Sequence, residues 1–256
     1  MTAASPRSQR RPMALVPARG GSKRFPRKNL ALLAGRPLLA WTIERAMSSG
    51  IFDSVFVSSE DGAILETARR FGAAAIERPE SLAGDLTPLE PVCLDAAKRF
   101  EHLGYTDIFL LLPTSPFREP ESIRAAWEEH LAMGSDSLMS VLACSHPPQW
   151  ALRMHEGRWL TPDDPKNYLR ERKALETLYR HDGAYNISLI ESLRSSGSLA
   201  GPRTLAFPTP TPMESVDIDA PMDLAFAEFL LARLGTDNQT ELSLLPEASM
   251  SRLSNP

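Results

Sequence analysis

Short apolar runs alternate with longer stretches of helix-spaced apolar residues from position 13 onward, the pattern of βαβ units feeding a largely parallel sheet. Residues 13–16, 54–57, 73–76 and 107–112 read as strands. Between them, 37–48, 61–71 and 88–102 carry apolar residues at helical spacing, with Asp61 and Pro88 as start signals. A further strand is expected at 137–143. Residues 145–181, rich in Pro, Trp, Arg and Tyr, then break the rhythm, which predicts an insertion or subdomain. Strands resume at 184–187 and 204–207, and 221–234 alternates as an amphipathic helix closing the fold. The expectation is a doubly wound α/β domain over 13–234, with 1–12 and 235–256 as loosely attached, flexible termini.

Composition removes several alternatives. A chain of 256 residues that is 43% hydrophobic and 23% charged lies close to globular averages, which excludes disorder, collagen or a disulfide scaffold as the organising principle. With 28 Lys and Arg against 32 Asp and Glu, the net charge of −4 provides no global field to recruit nucleic acid or an anionic membrane, so any anion site must be built locally. The 2 cysteines, Cys93 and Cys144, lack CxxC spacing, so neither a zinc cluster nor a disulfide framework is indicated and a reduced, cytoplasmic protein is expected. The apolar stretch 13–16 is too short for a signal-peptide core, and the run 108–112 is too short to span a bilayer.

The strongest chemical signal follows the first strand. Between Pro17 and Asn29, Arg19, Lys23, Arg24, Arg27 and Lys28 share a loop with Gly20, Gly21 and Ser22, in a chain that is acidic overall. Glycine lets backbone N–H groups approach an anion, Ser22 adds a donor, and the cations neutralise a polyphosphate. The loop fits neither the GxxxxGK[ST] nor the GxGxxG spacing. A solvated basic loop is the alternative.

Pro113, Thr114 and Ser115 leave the strand at 107–112 where ligands bind in open α/β sheets, or form an ordinary turn before the helix that follows Glu119. Asp217 and Asp219, two apart in an extended segment, present paired carboxylates on one face while Ile218 packs the other way. Two such oxygen donors suit Mg²⁺; the competing role for Asp219 is N-cap of the closing helix. In the insertion, Arg170, Arg172, Lys173, Arg180 and His181 offer forks for a carboxylate, or surface ion pairs with Glu171 and Glu176. Cys93 and the tryptophans 127, 150 and 159 are expected to pack.

Taken together, 16–29, 78–85, 112–118, 182–185 and 215–219 resemble, in order and spacing, the CMP-sialic acid synthetases, or acylneuraminate cytidylyltransferases. The resemblance implies a Rossmann-like, GT-A-like nucleotidyltransferase fold: a three-layer α/β sandwich with a mostly parallel sheet and an inserted dimerisation subdomain at 145–181. It further implies that a sugar acid and CTP react over Mg²⁺ to give a CMP-sugar and pyrophosphate, in a homodimer. Arg19 to Lys23 would cradle the phosphates, Lys28 would help hold the triphosphate, Asn29 would lie near the nucleotide, and Arg78, Asp85 and Thr87 would lie near the nucleoside. Asp217 and Asp219 would be the metal ligands, and Arg172, with Arg180 nearby, would reach the sugar acid. Leu112 stands where many members place Gln, which leaves the sugar open among N-acetylneuraminate, legionaminate, pseudaminate and other nonulosonates. Two further readings stay open: a nucleotidyltransferase for another sugar acid or base, and a non-catalytic nucleotide-binding homologue.

Overall fold

A computed structural model describes residues 10–236. The elements run β1 (Pro12–Pro17), β2 (Leu32–Leu33), β3 (Arg36–Pro37), α1 (Leu38–Ser49), β4 (Val55–Ser59), α2 (Gly62–Arg70), β5 (Ala74–Glu77) and α3 (Leu89–Arg99). They continue with β6 (Asp107–Leu110), α4 (Pro120–Met133), β7 (Ser137–Ala143), β8 (Leu152–His155), β9 (Trp159–Pro162), β10 (Tyr179–Leu189), α5 (Ile190–Ser196), β11 (Thr204–Pro208) and α6 (Pro221–Thr236).

Every residue of β1 is buried, as a central strand covered on both faces requires. Its side chains divide with the period of a strand. Ala14 and Val16 join Leu39, Ile43, Val57, Ile64 and Phe109 beneath α1, α2 and α4. Met13 and Leu15 join Phe56, Cys93, Ala96, Ile108 and Leu193 beneath α3 and α5. The expected three-layer sandwich results.

The seven-stranded sheet has the order β11-β7-β10-β6-β1-β4-β5. β1 pairs in parallel with both β4 and β6, so the chain crosses to the other side of β1 after β5, and β1/β6 is the topological switch point. The loops that open the candidate site leave the carboxyl ends of these two strands.

The helices begin and end where local chemistry says they should. Asp61 caps α2 by accepting from the N–H groups of Ala63 and Ile64, a contact worth about 1 kcal/mol. α1 stops at Gly50 (φ 70°) and α4 at Gly134 (φ 56°), left-handed positions that glycine takes without a Cβ penalty.

Four expectations need correction. The strand foreseen at 184–187 is the 11-residue β10, antiparallel to both β6 and β7, so it takes in the last residues of the expected insertion. The insertion itself is partly regular, because β8 and β9 form a hairpin turned by Glu156 and Gly157, both at positive φ. Trp127 packs in the core, but Trp159 on β9 is 63% exposed. The expected flexible ends fall mostly on residues 1–9 and 237–256, outside the described residues, but Arg10 is held by Asp107 and α6 extends to Thr236.

Candidate active site

The β1 carboxyl end delivers Arg19, Ser22, Lys28 and Asn29 to a cavity of about 380 Å³ at the switch point. The side-chain amide of Asn29 donates to the carbonyl of Arg19 (2.9 Å), closing the basic loop on itself. Arg78, Asp85 and Thr87 line the wall after β5, Pro113 and Thr114 the wall after β6, and Asp217 and Asp219 the rim before α6. Segments more than a hundred residues apart thus build one cavity.

Ile218 explains how the two aspartates are aimed. It is fully buried with Leu33, Leu38, Phe117 and Ala227, and its N–H donates to the carbonyl of Thr114 (2.8 Å). Its neighbours are thereby turned into the cavity, as the alternation predicted. Burial raises the pKa of Asp217 above its ordinary value, against a hydrogen bond from Thr114. Asp219 is held below its ordinary value, first by the hydrogen bond from Lys28. Lys28 Nζ lies 2.6 Å and Arg24 Nη2 2.8 Å from the two oxygens of Asp219. The N-cap alternative for Asp219 is overturned: α6 begins at Pro221, and Asp223 reaches back to the N–H groups of Asp219 and Ala220.

Arg78 is buried, with Nη2 donating to the carbonyl of Ser58 (2.6 Å) and Nε to its hydroxyl (3.2 Å); burial lowers its pKa. Asp85 pairs with Arg19 (3.0 Å) and Lys23 (2.7 Å), which makes Lys23 a partner of the site's rim rather than of its lining.

Other predicted residues stand apart from the cavity. The N–H of Gly20 is taken by Glu60 Oε1 (2.7 Å), and a Cβ at Gly20 would lie 2.6 Å from Asp61 Oδ2. Its glycine therefore serves close packing against β4's exit, and its N–H is not a free phosphate donor. A Cβ at Gly21 would meet nothing within 4 Å. Ser115 is buried and its N–H closes a turn to Leu112 O (3.3 Å), the ordinary turn role. Arg172 and Arg180 are exposed on the insertion and do not line this cavity.

Leu112, Asp182 and Gly183, which the sequence placed in the resembling motifs but not among the binding residues, also line the cavity. A shift in β10 register between His181 and Asn186 carries Asp182 and Gly183 there. Asp182 accepts from Ser140, Thr209 and the N–H of Ala184. Beneath them, fully buried Arg118 donates to the carbonyls of Ala184 and Leu112, tying β10 to the end of β6; burial pushes its pKa down to about 10.

Among the described residues, no cluster of three or more His, Cys, Asp or Glu could hold a metal. The pair Asp217 and Asp219 nevertheless fits Mg²⁺, a hard ion that takes one or two carboxylates and completes its shell with substrate phosphates and water.

A cavity at the switch point of a doubly wound sheet, lined by cations and carboxylates that pair with one another, is the site arrangement of an α/β nucleotidyltransferase domain. Two solved structures share the fold. A CMP:2-keto-3-deoxy-manno-octonic acid synthetase complexed with CTP superposes with a TM-score of 0.66 at 18% identity, covering 88% of this chain and 99% of that one. The 4-diphosphocytidyl-2C-methyl-D-erythritol synthase of Anaerococcus prevotii gives 0.63 at 11%, covering 88% and 98%. The chain belongs to the cytidylyltransferase family, whose profile matches residues 13–244. It is 34% identical to the CMP-N,N'-diacetyllegionaminic acid synthase of Legionella pneumophila, over 86% of this chain and 95% of the relative. It is 31% identical to a pseudaminic acid cytidylyltransferase of Campylobacter jejuni, over 85% and 95%.

Proposed function

We propose that this chain transfers the cytidylyl group of CTP to a nonulosonic acid, releasing pyrophosphate. The observation that carries the reading is the convergence of Lys28, Asp217 and Asp219 in one cavity with Arg19 and Arg78. The relatives' names supply the substrate class. The anomeric hydroxyl oxygen forms the new bond to the α-phosphorus as the bond from that phosphorus to the bridging oxygen of the leaving pyrophosphate breaks, and the hydroxyl proton passes to solvent. Positioning and charge neutralisation dominate such a transfer. Arg19 and Lys28 bind the phosphates, Ser22 adds a donor, and Asn29 holds the loop in shape. Arg78 and Thr87 face the nucleoside.

Asp217 and Asp219 would hold Mg²⁺, which when bound neutralises phosphate charge and lowers the pKa of a coordinated hydroxyl. No histidine base is then needed.

The active form in this reading is a homodimer in a reduced, cytoplasmic setting. Leu152, Met154 and Leu160 share one face of the β8–β9 hairpin and are all exposed, an apolar surface of the kind that marks an interface. Arg172 and Arg180, outside their own cavity, serve the partner's sugar-acid site.

The test is pyrophosphate release with CTP and Mg²⁺ against N-acetylneuraminate, legionaminate, pseudaminate and an octulosonate, with EDTA as control. Turnover with a nine-carbon acid, lost in EDTA, is expected. Turnover with the octulosonate alone would replace the sugar assignment, and CTP binding without turnover on any acid would favour a non-catalytic nucleotide-binding protein.

A further inference from the structure

Two carboxylates from distant segments divide four of the basic loop's cations between them. Asp219 takes Arg24 and Lys28, and Asp85 takes Arg19 and Lys23. The two pairings are not equivalent. Asp219 adjoins the buried anchor Ile218 and meets a Lys28 side chain that is only 14% exposed. Asp85 sits in a turn, closed by Thr87 N–H on Gly84 O (3.1 Å), whose next residue Leu86 is 97% exposed and contributes no packing. Three contacts join this turn to the basic loop: the two ion pairs and a bond from Arg19 Nη1 to the Asp85 carbonyl (3.1 Å). The Lys23 hydrogen bond holds Asp85 below the usual carboxylate range, so it is charged at neutral pH.

We propose that Asp85 is a detachable stand-in for phosphate: it occupies Arg19 and Lys23 in the free protein and is displaced when a polyphosphate enters, releasing the 84–87 turn from the mouth of the cavity. The proposal rests on the reading that the basic loop binds the triphosphate. Exposed ion pairs are weak and exchange readily, whereas a polyphosphate presents several charged oxygens to the same donors. The carboxylate and the incoming phosphate repel each other and cannot share Arg19 and Lys23. Asp85 is thus a positioning residue: it keeps two mutually repelling cations converged until the substrate takes its place. Thr87, at the end of the turn, moves with it, which couples phosphate arrival to the nucleoside wall.

Hydrogen–deuterium exchange of the full chain with and without inorganic tripolyphosphate tests this. Residues 19–29 should slow while 83–87 speed up. Slowing of both segments, or of 19–29 alone, would overturn the displacement while leaving phosphate binding standing. No slowing of 19–29 would remove the phosphate reading and the proposal with it. Separately, Asp85→Asn should bind tripolyphosphate about fivefold more tightly than the wild type, with Asp85→Glu restoring wild-type affinity. A gain of this kind does not follow from a structural role, and equal or weaker binding by Asp85→Asn would overturn the proposal.

Discussion

Lys28 and Asp219 are 191 positions apart in the chain and 2.6 Å apart in space, Nζ against Oδ1. The contact joins the basic loop after β1 to the carboxylate pair before α6. Replacing Lys28 by Met should therefore lower kcat/KM by roughly 10² to 10³, the usual loss when a charge-stabilising group leaves a transition state. Steady-state pyrophosphate release measures it, and thermal unfolding should show the fold intact.

Asp217→Ala should abolish Mg²⁺-dependent turnover while CTP still raises the melting temperature. Undiminished turnover would remove Asp217 from the metal assignment.

The other end of the sheet makes a prediction about stability. Burial would raise the pKa of Asp107, but hydrogen bonds from His130 and Arg10 outweigh it and hold the carboxyl below its ordinary value. A depressed carboxyl stabilises the fold fully above the unfolded pKa of about 3.9, and that contribution is lost as pH falls through the lower folded value. Asp107→Asn should cost about 3–5 kcal/mol at neutral pH, because it leaves Arg10 buried without its charge partner. Its stability should also fall less steeply than the wild type's in the acid range. Urea unfolding at neutral and acid pH checks both.

Burial pushes the Cys93 thiol up to about 12, so it stays protonated in the native protein. A thiolate-selective reagent should spare Cys93 in the native chain and modify both cysteines after denaturation, counted by mass.

In the homodimer proposed above, Met154→Glu on the apolar face of the β8–β9 hairpin should give monomers in sedimentation experiments. Activity should fall with it if Arg172 and Arg180 serve the partner's site, and activity in a monomer would overturn that part of the reading.

The sheet was legible wherever a strand is buried on both faces or shows a clean period. The range 137–143 matches β7 residue for residue. The β8–β9 hairpin was not read because its turn uses Glu156 at positive φ, where Asn or Asp is the usual sign. α5 was missed because its N-cap is Leu189, which offers no capping side chain. Within the site, local motifs named the cations and the aspartate pair. The pairing of the Gly20 N–H with Glu60, 40 positions away, was not legible from the loop alone. Leu112 and Gly183 meet only because of a bulge in β10, and no local pattern encodes that encounter.

The antiparallel placement of β10 between β6 and β7 also sets an order of events during synthesis. β1, β4, β5 and β6 neighbour one another in the sheet and are complete once Leu110 has emerged. The basic loop and Arg78 can thus be laid down while β6 is still an open edge. The sheet's two halves join only when β10 inserts, and the aspartate pair follows later still. A nascent chain would assemble the cations of the cavity well before it acquires the carboxylates that complete the site, and until β10 arrives the β6 edge is the surface most in need of protection from other chains.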